Sequence, residues 1–462
     1  MERVLRFLEE RREEAVELLK GWLAIPSVST DPAHKSDLDA AANYIARILE
    51  DAGLKVEILD TGGHPAVYAE WSQAEAAPTV LVYGHYDVQP PDPVDEWLSP
   101  PFEPTIRENK IYARGATDDK GQCFTHVRSV QAWLATVGRL PVNVKFLIEG
   151  EEEIGSPHLE GLVRNNVERF KCDYVVVSDT AQFAPGVPAI TYGLRGLVYA
   201  EIFLSGPKTD LHSGVFGGAV ANPANNLAAI LGAMVDSQGR VQIPGFYDQV
   251  RPIEPWEREE FSRLPFDEAG MRNYLGVDAL WGEPDYSVLE RRWCRPTCDI
   301  NGLTSGYQGV GAKTIIPARA SAKVSCRLVP DQDPQAIFAA MQQYVRERLW
   351  PGIKAEIVSH GLAPAVLMDV KSPGMRAARK AIARAFGREP VLIREGGSIP
   401  VVATFKEVLG VDTLLLGWGQ NDDNLHAPNE KFSLDDFHRG TLASALLWEE
   451  LAALYGATGA AK

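Results

Sequence analysis

A chain of 462 residues is too long for a single compact core, so two domains are expected. Hydrophobic residues make up 45% and charged residues 23%, as in ordinary globular proteins, and the formal net charge of -16 argues against a nucleic-acid partner because no basic stripe could offset that field. No run of about 18 apolar residues offers a membrane span, and five scattered cysteines, an odd set, suit free thiols in a reducing, cytoplasmic setting.

The segment Met1–Leu23 is rich in Glu and Arg and lacks the apolar core of a signal peptide. It reads as an amphipathic helix with Val16, Leu19 and Leu23 on one face. A second helix is expected from Ser36 to Ala52, then strands at Val56–Leu59, Pro65–Trp71 and the strongly apolar Thr79–Tyr83. A helix from Gln122 to Thr136 precedes two buried strands, Val142–Ile148 and Tyr174–Val177. Continuous apolar runs suit strands covered on both faces, and strand alternating with helix predicts an α/β domain whose mostly parallel sheet is flanked by helices. The character changes near Tyr192–Gly196: Leu197–Leu204 and Ala320–Leu328 alternate like strands of a half-exposed sheet, with a polar, Pro-rich and aromatic stretch, Pro244–Trp293, between them. A helix, Pro334–Leu349, and a strand, Lys354–Ser359, complete an inserted α+β domain. After Pro364 the first pattern returns, with Ser372–Pro373 opening a helix to Phe386, a strand Thr413–Leu416 and a last helix from Ser433. The expected layout is 1–194 and 373–462 as one domain, interrupted by 195–372, with a Gly/Ala tail from Gly456 that frays.

Several segments place metal-type ligands at a strand end or turn. In Gly84-His85-Tyr86-Asp87, residues two apart on a strand face the same way, so His85 and Asp87 point together. Asp118 and Asp119, between Gly115 and Gly121, repel each other unless cations sit nearby; the plainer reading is a helix N-cap. Glu151-Glu152-Glu153 follows a buried strand, where uncompensated charge is costly and where open α/β sheets build their sites; a solvated acidic loop is the bland alternative. Asp179 also follows an apolar strand, and His426 lies in Asn424–Glu430, where a lone histidine would pass as a surface residue. Together, two histidines and several carboxylates suit zinc or a related metal, and a carboxylate shared by two ions would make a two-metal hydrolytic site. Cys294 and Cys298 are too few to close a structural zinc site.

With these segments in this order, the chain resembles the co-catalytic dinuclear zinc peptidases, a family that includes carnosinase, cytosolic nonspecific dipeptidase, bacterial dipeptidases, glutamate carboxypeptidase, acetylornithine deacetylase and aminoacylase. The resemblance covers nearly the whole chain. It implies that His85 and Asp179 bind one divalent ion, that Glu153 and His426 bind another, and that Asp118 bridges them through a segment with a cis Asp118–Asp119 peptide. The ions would be Zn2+ first, with Mn2+ or Co2+ as alternatives. Glu152 would be general base and acid toward a water bridging the two ions, and Asp87 would steady Glu152 or a ligand. The segment Asp210-Leu211-His212-Ser213-Gly214-Val215-Phe216-Gly217-Gly218 is close to the carnosinase-like branch, which implies a homodimer in which His212 stabilises the oxyanion in the partner's active site. Arg327 would pair with a peptide's terminal carboxylate, and Thr314, His360, Gly397 and Ser398 would be further substrate contacts. Glu151 stands where relatives often carry Met.

The expected activity is therefore hydrolysis of dipeptides or small peptides by an inserted-lid, dimeric enzyme. An N-acyl-amino-acid deacylase or carboxypeptidase with the same metal chemistry is the alternative. A silent metal-binding scaffold is a third reading, disfavoured because Glu152 and every expected ligand are present.

Overall fold

The computed structural model describes residues 1–456, so the Gly/Ala tail expected to fray lies outside the described residues from Ala457 on. The chain forms two compact units: Met1–Tyr192 with Met368–Ile393 and the segment from Pro400 onward, and Gly193–Leu367 with Arg394–Ile399. The short return of 394–399 to the second unit had no counterpart in the sequence pattern.

The first unit is built on a mixed sheet in the order Lys55–Leu59, Ala66–Trp71, Asn143–Glu149, Thr79–His85, Tyr174–Val177, Thr413–Gly417, Ala189–Leu194. Its central strands, from Asn143–Glu149 to Thr413–Gly417, pair in parallel, and antiparallel neighbours extend it on both sides. The apolar runs Val80–Tyr83, Phe146–Ile148, Val175–Val177 and Leu414–Leu416 are almost wholly removed from water. Each such side chain contributes about 1.5–3 kcal/mol on burial, which is why continuous apolar runs settle in a two-sided sheet. Helices Lys120–Val137, Pro373–Phe386 and Leu434–Gly456 belong to this unit. Pro373–Phe386 starts as the sequence predicts: Ser372 Oγ accepts the Met375 N–H and proline takes the first position.

Two local differences have simple causes. The N-terminal helix is two helices, Glu2–Glu10 and Arg12–Leu23, separated at Arg11. The buried face of the second is Ala15, Leu19, Trp22 and Leu23, with Val16 only half-buried, because the large Trp22 indole turns that face toward the core. The stretch 244–293 contains three short helices, two of them opened by capping boxes at Glu254/Glu257 and Ser287/Glu290.

The second unit is α+β. A four-stranded antiparallel sheet runs in the order Thr297–Ser305, Arg319–Leu328, Gly196–Ser205, Lys354–Ala363. Alternate residues of Gly196–Ser205 and Arg319–Leu328 are buried, the period-two pattern of a sheet covered on one face. Val198, Ile202, Val324 and Leu328 from the sheet pack with Leu227, Ile230, Met341 and Tyr344 from the helices Pro223–Gly232 and Pro334–Arg346.

Candidate active site

The parallel strands of the first unit all end at one edge, where a doubly wound sheet leaves room for a ligand. His85 is the last residue of Thr79–His85, Glu152 and Glu153 follow Asn143–Glu149, Asp179 follows Tyr174–Val177, and His426 lies in the loop after Thr413–Gly417. Asp118 arrives from the turn before Lys120–Val137, and the Asp118–Asp119 peptide is cis. Close packing makes this turn possible. A Cβ on Gly84 would stand 2.6 Å from Cys123 Sγ, and one on Gly121 would stand 1.9 Å from the Ala116 carbonyl oxygen, so neither position admits a side chain without displacing its neighbour.

Two ligand groups result. His85, Asp118 and Asp179 present atoms all within 4.8 Å of one another, and so do Asp118, Glu153 and His426. Asp118 belongs to both. Its Oδ1 lies 3.1 Å from His85 Nε2, and its Oδ2 lies 3.0 Å from His426 Nε2. Glu153 Oε2 is 3.4 Å from His426 Nε2 and accepts from Gln89 Nε2 at 2.8 Å. Glu151 turns away: it pairs with His158 Nδ1 at 2.8 Å and accepts the His64 N–H. Asp87 serves three neighbours. Its carboxylate accepts the N–H groups of Glu152 at 3.2 Å and Glu153 at 3.0 Å, and its carbonyl oxygen is 3.0 Å from His85 Nδ1. The imidazole is thereby oriented with Nε2 toward Asp118.

The electrostatics of the cluster point to cations. Burial lifts Glu152 to about 7, and the charges of Asp118 and Asp87 add to that against His85. Burial lifts Glu153 to about 8, with Asp118 in support. Asp179 is pushed well up by burial and then by Asp118 and Asp119. Asp118 alone is held low, because the two imidazoles outweigh its burial. Buried Asp119 leaves Oδ1 without a hydrogen-bond partner. Carboxylates crowded in this way lose their mutual repulsion only when positive charge is added. Imidazole and carboxylate donors in two groups that share Asp118 fit two divalent ions.

Several supporting residues had no role in the sequence reading. Glu430 is fully buried and accepts four hydrogen bonds: Arg114 Nη1 and the Gly115 N–H at Oε2, both 2.9 Å, and the N–H groups of Thr117 at 2.9 Å and Asp118 at 3.1 Å at Oε1. It fixes the backbone that presents Asp118. Lys120, also fully buried and lowered to about 7 by burial, donates to the carbonyls of Trp22 and Ile25. His126, held to about 3 by burial and therefore neutral, links Ser444 Oγ and Ser178 Oγ, each at 2.8 Å, beside Asp179. Tyr83 Oη and Ser156 Oγ donate to Glu149 Oε1 below the Glu152 loop.

The remaining predicted residues lie in the second unit. His212 is exposed, and its Nδ1 accepts the Gly214 N–H at 3.0 Å. Exposed Thr314 accepts the Ser213 N–H through its carbonyl, which places it beside His212. Arg327 Nη1 donates to Ser398 Oγ at 2.9 Å, next to Gly397, where nothing stands within 4 Å of a notional Cβ. His360 Nε2 is 2.9 Å from Glu201 Oε2 and so is engaged with its own sheet rather than with Arg327 or Ser398.

Known proteins match this picture. The Cys-Gly metallodipeptidase dug1 of Schizosaccharomyces pombe is 33% identical over 98% of this chain and 99% of that protein. The Beta-Ala-His dipeptidase of Homo sapiens is 34% identical over 98% of this chain and 93% of its own length. The crystal structure of the M20 family metallo-carboxypeptidase Sso-CP2 from Sulfolobus solfataricus superposes with a TM-score of 0.87 at 37% identity, covering 95% of this chain and 99% of that one. The sequence model described as peptidase family M20/M25/M40 matches residues 81–450, across every segment that carries the clustered imidazoles and carboxylates, and the chain belongs to that family of metal-dependent peptidases.

Proposed function

We propose that this protein hydrolyses the amide bond of dipeptides or small peptides, with two divalent ions, Zn2+ first, held by His85, Asp118 and Asp179 and by Asp118, Glu153 and His426. The observation that carries the reading is the shared Asp118, which faces one imidazole with each carboxylate oxygen. When bound, such ions acidify water and polarise a carbonyl. Glu152 then takes a proton from the attacking water at its carboxylate and delivers it to the leaving nitrogen, and a pKa near neutrality suits both halves of that cycle. Asp87 holds the Glu152 and Glu153 backbone in place for the transfer.

Arg327 pairs with the peptide's terminal carboxylate, with Ser398 and Gly397 beside it and Thr314 and His360 as further contacts. The second unit acts as lid and dimerisation domain, and His212 donates to the oxyanion in the partner's active site, a role supported by its exposure and by its place among the glycines of 214–218. The dipeptidase names of full-length relatives support the substrate class. Five free cysteines support a reducing, cytoplasmic setting.

Similarity to a metallo-carboxypeptidase at 37% identity favours one second reading, removal of C-terminal residues from longer peptides, to which N-acyl-amino-acid deacylation is chemically related. A panel of dipeptides, tripeptides and acetyl-amino acids, assayed with zinc, manganese or cobalt, separates these. Dipeptides are expected to have the highest kcat/KM; faster turnover of longer peptides or acyl-amino acids would replace the dipeptidase reading.

A further inference from the structure

The second unit contains a cation-rich cavity for which hydrolysis of an uncharged peptide has no use. It encloses about 270 Å³ and is walled by Arg195, Arg291, Arg292 and Arg295 against two carboxylates, Glu283 and Asp299. In a chain of net charge -16 this is a local reversal of sign.

The arginines are not equivalent. Arg295 is already matched: Nε and Nη2 bond the two oxygens of Glu283 at 3.1 and 2.8 Å, and its guanidinium lies 4.4 Å from the Tyr286 ring centroid. Arg291 Nε donates to the Tyr286 carbonyl at 2.8 Å. Arg195 spends Nε on the Gly396 carbonyl at 3.0 Å and reaches the Arg295 carbonyl through Nη1 only at 3.5 Å. Burial and then the neighbouring cations Arg327 and Arg292 pull its pKa down to about 10, against Asp299 and Glu395. Arg292 is exposed, and among the described residues its side chain makes neither hydrogen bond nor ion pair.

This wall is continuous with Arg327. The strand register sets Arg327 opposite Leu197 on one side and Thr297 on the other, so Arg195 and Asp299 are each two residues from its partners. Ser398 Oγ accepts from Arg327 and donates to the Arg195 carbonyl at 2.5 Å.

We infer that the cavity is a second anion subsite, which takes the side-chain carboxylate of an acidic residue at the C-terminal position of a small peptide. Arg195 and Arg292 pair with that carboxylate while Arg327 and Ser398 hold the α-carboxylate. This rests on the peptide-hydrolysis reading above. Planar guanidinium groups match carboxylates in geometry, and partial burial strengthens the pairing. Asp299 and Glu283 leave the cavity with an excess of positive charge that one added carboxylate reduces.

The test uses the metal-loaded full chain and two isosteric pairs, Ala-Glu against Ala-Gln and Ala-Asp against Ala-Asn, with Ala-Ala and Ala-Leu in the same series. A charge-assisted contact predicts kcat/KM at least about tenfold higher for the acidic member, expressed in KM. Arg292→Gln is expected to bring that ratio toward one, and Arg292→Lys to keep part of it. Equal turnover of acid and amide, or a ratio that Arg292→Gln leaves intact, overturns the subsite while cleavage of Ala-Ala leaves peptide hydrolysis standing. No turnover of any dipeptide would overturn both.

Discussion

Loading the metal-free protein with a divalent ion should expel protons, and the structure says roughly how many. Ligation requires neutral imidazole and ionised carboxylate. Near neutral pH the metal-free cluster holds neither in full. His426 is lifted to about 9, first by its contact with Asp118. Glu153 is lifted to about 8 by burial. Burial pulls His85 down, but Asp118 and Asp87 at its two nitrogens more than reverse this, and it ends well above its usual value. Asp179 is raised too, and only Asp118 is already ionised. At pH 7 a group titrating at 9 is ~99% protonated and one at 8 is ~90% protonated, so His426 and Glu153 release about two protons, and the upward shifts of His85 and Asp179 act in the same direction. The count belongs to the cluster, because these charges are coupled. The sign follows: release is largest at and below pH 7 and shrinks as pH rises through 8 and 9, where the groups lose their protons unaided. Titration calorimetry with Zn2+ in two buffers of different ionisation enthalpy measures the number directly. Fewer than about one proton at pH 7, or a release that grows with pH, would refute the reasoning.

Other outcomes follow from the same geometry. Glu152→Ala should keep both metals by elemental analysis and lose about 10²–10⁴-fold or more in kcat, the usual worth of a positioned acid–base group. Glu430→Gln removes the charge that matches Arg114, itself 1% exposed, so unfolding stability should fall by about 3–5 kcal/mol in denaturant titration and metal affinity should weaken with it. Mixing His212→Ala with Glu152→Ala subunits should restore activity in hybrid dimers, since one site then combines an intact Glu152 with an intact His212 from the partner; inactive hybrids of confirmed composition would refute donation in trans.

The sequence made the central strands legible, because Thr79–Tyr83 and Tyr174–Val177 are apolar runs that only a sheet covered on both faces accommodates. It also made most of the ligand segments legible, because those of His85, Glu153, Asp179 and His426 end or follow such a strand, whereas Asp118 comes from the turn before a helix. What it hid were residues whose partners are backbone atoms or lie far along the chain. Lys120 donates to two carbonyls, and carbonyls carry no sequence signature. Glu430 appeared only as the end of the His426 segment, although the amides it holds are more than 300 positions away. The cation-rich cavity was hidden differently. Two of its arginines, Arg291 and Arg292, lie on the capped helix Val288–Cys294, in a stretch whose polar, Pro-rich and aromatic composition masked the capping boxes, and Arg195 lies about 100 positions earlier. Glu151 was ambiguous in a run of three acids, and the fold separates it by giving it His158 as a partner.

The Glu430 contacts also set an order of events during synthesis. Asp118 is made early, yet the carboxylate that shapes its turn is 312 residues further on. A nascent chain that has emerged only as far as the inserted unit carries His85, Asp118, Glu153 and Asp179 but has neither His426 nor the clamp that aligns Asp118. Such a chain has no finished metal centre to fill and no competence to cut peptides near the ribosome. The second ligand group, which needs His426, and the Glu430 clamp on the Asp118 turn therefore form only in molecules whose last segment has returned to the first.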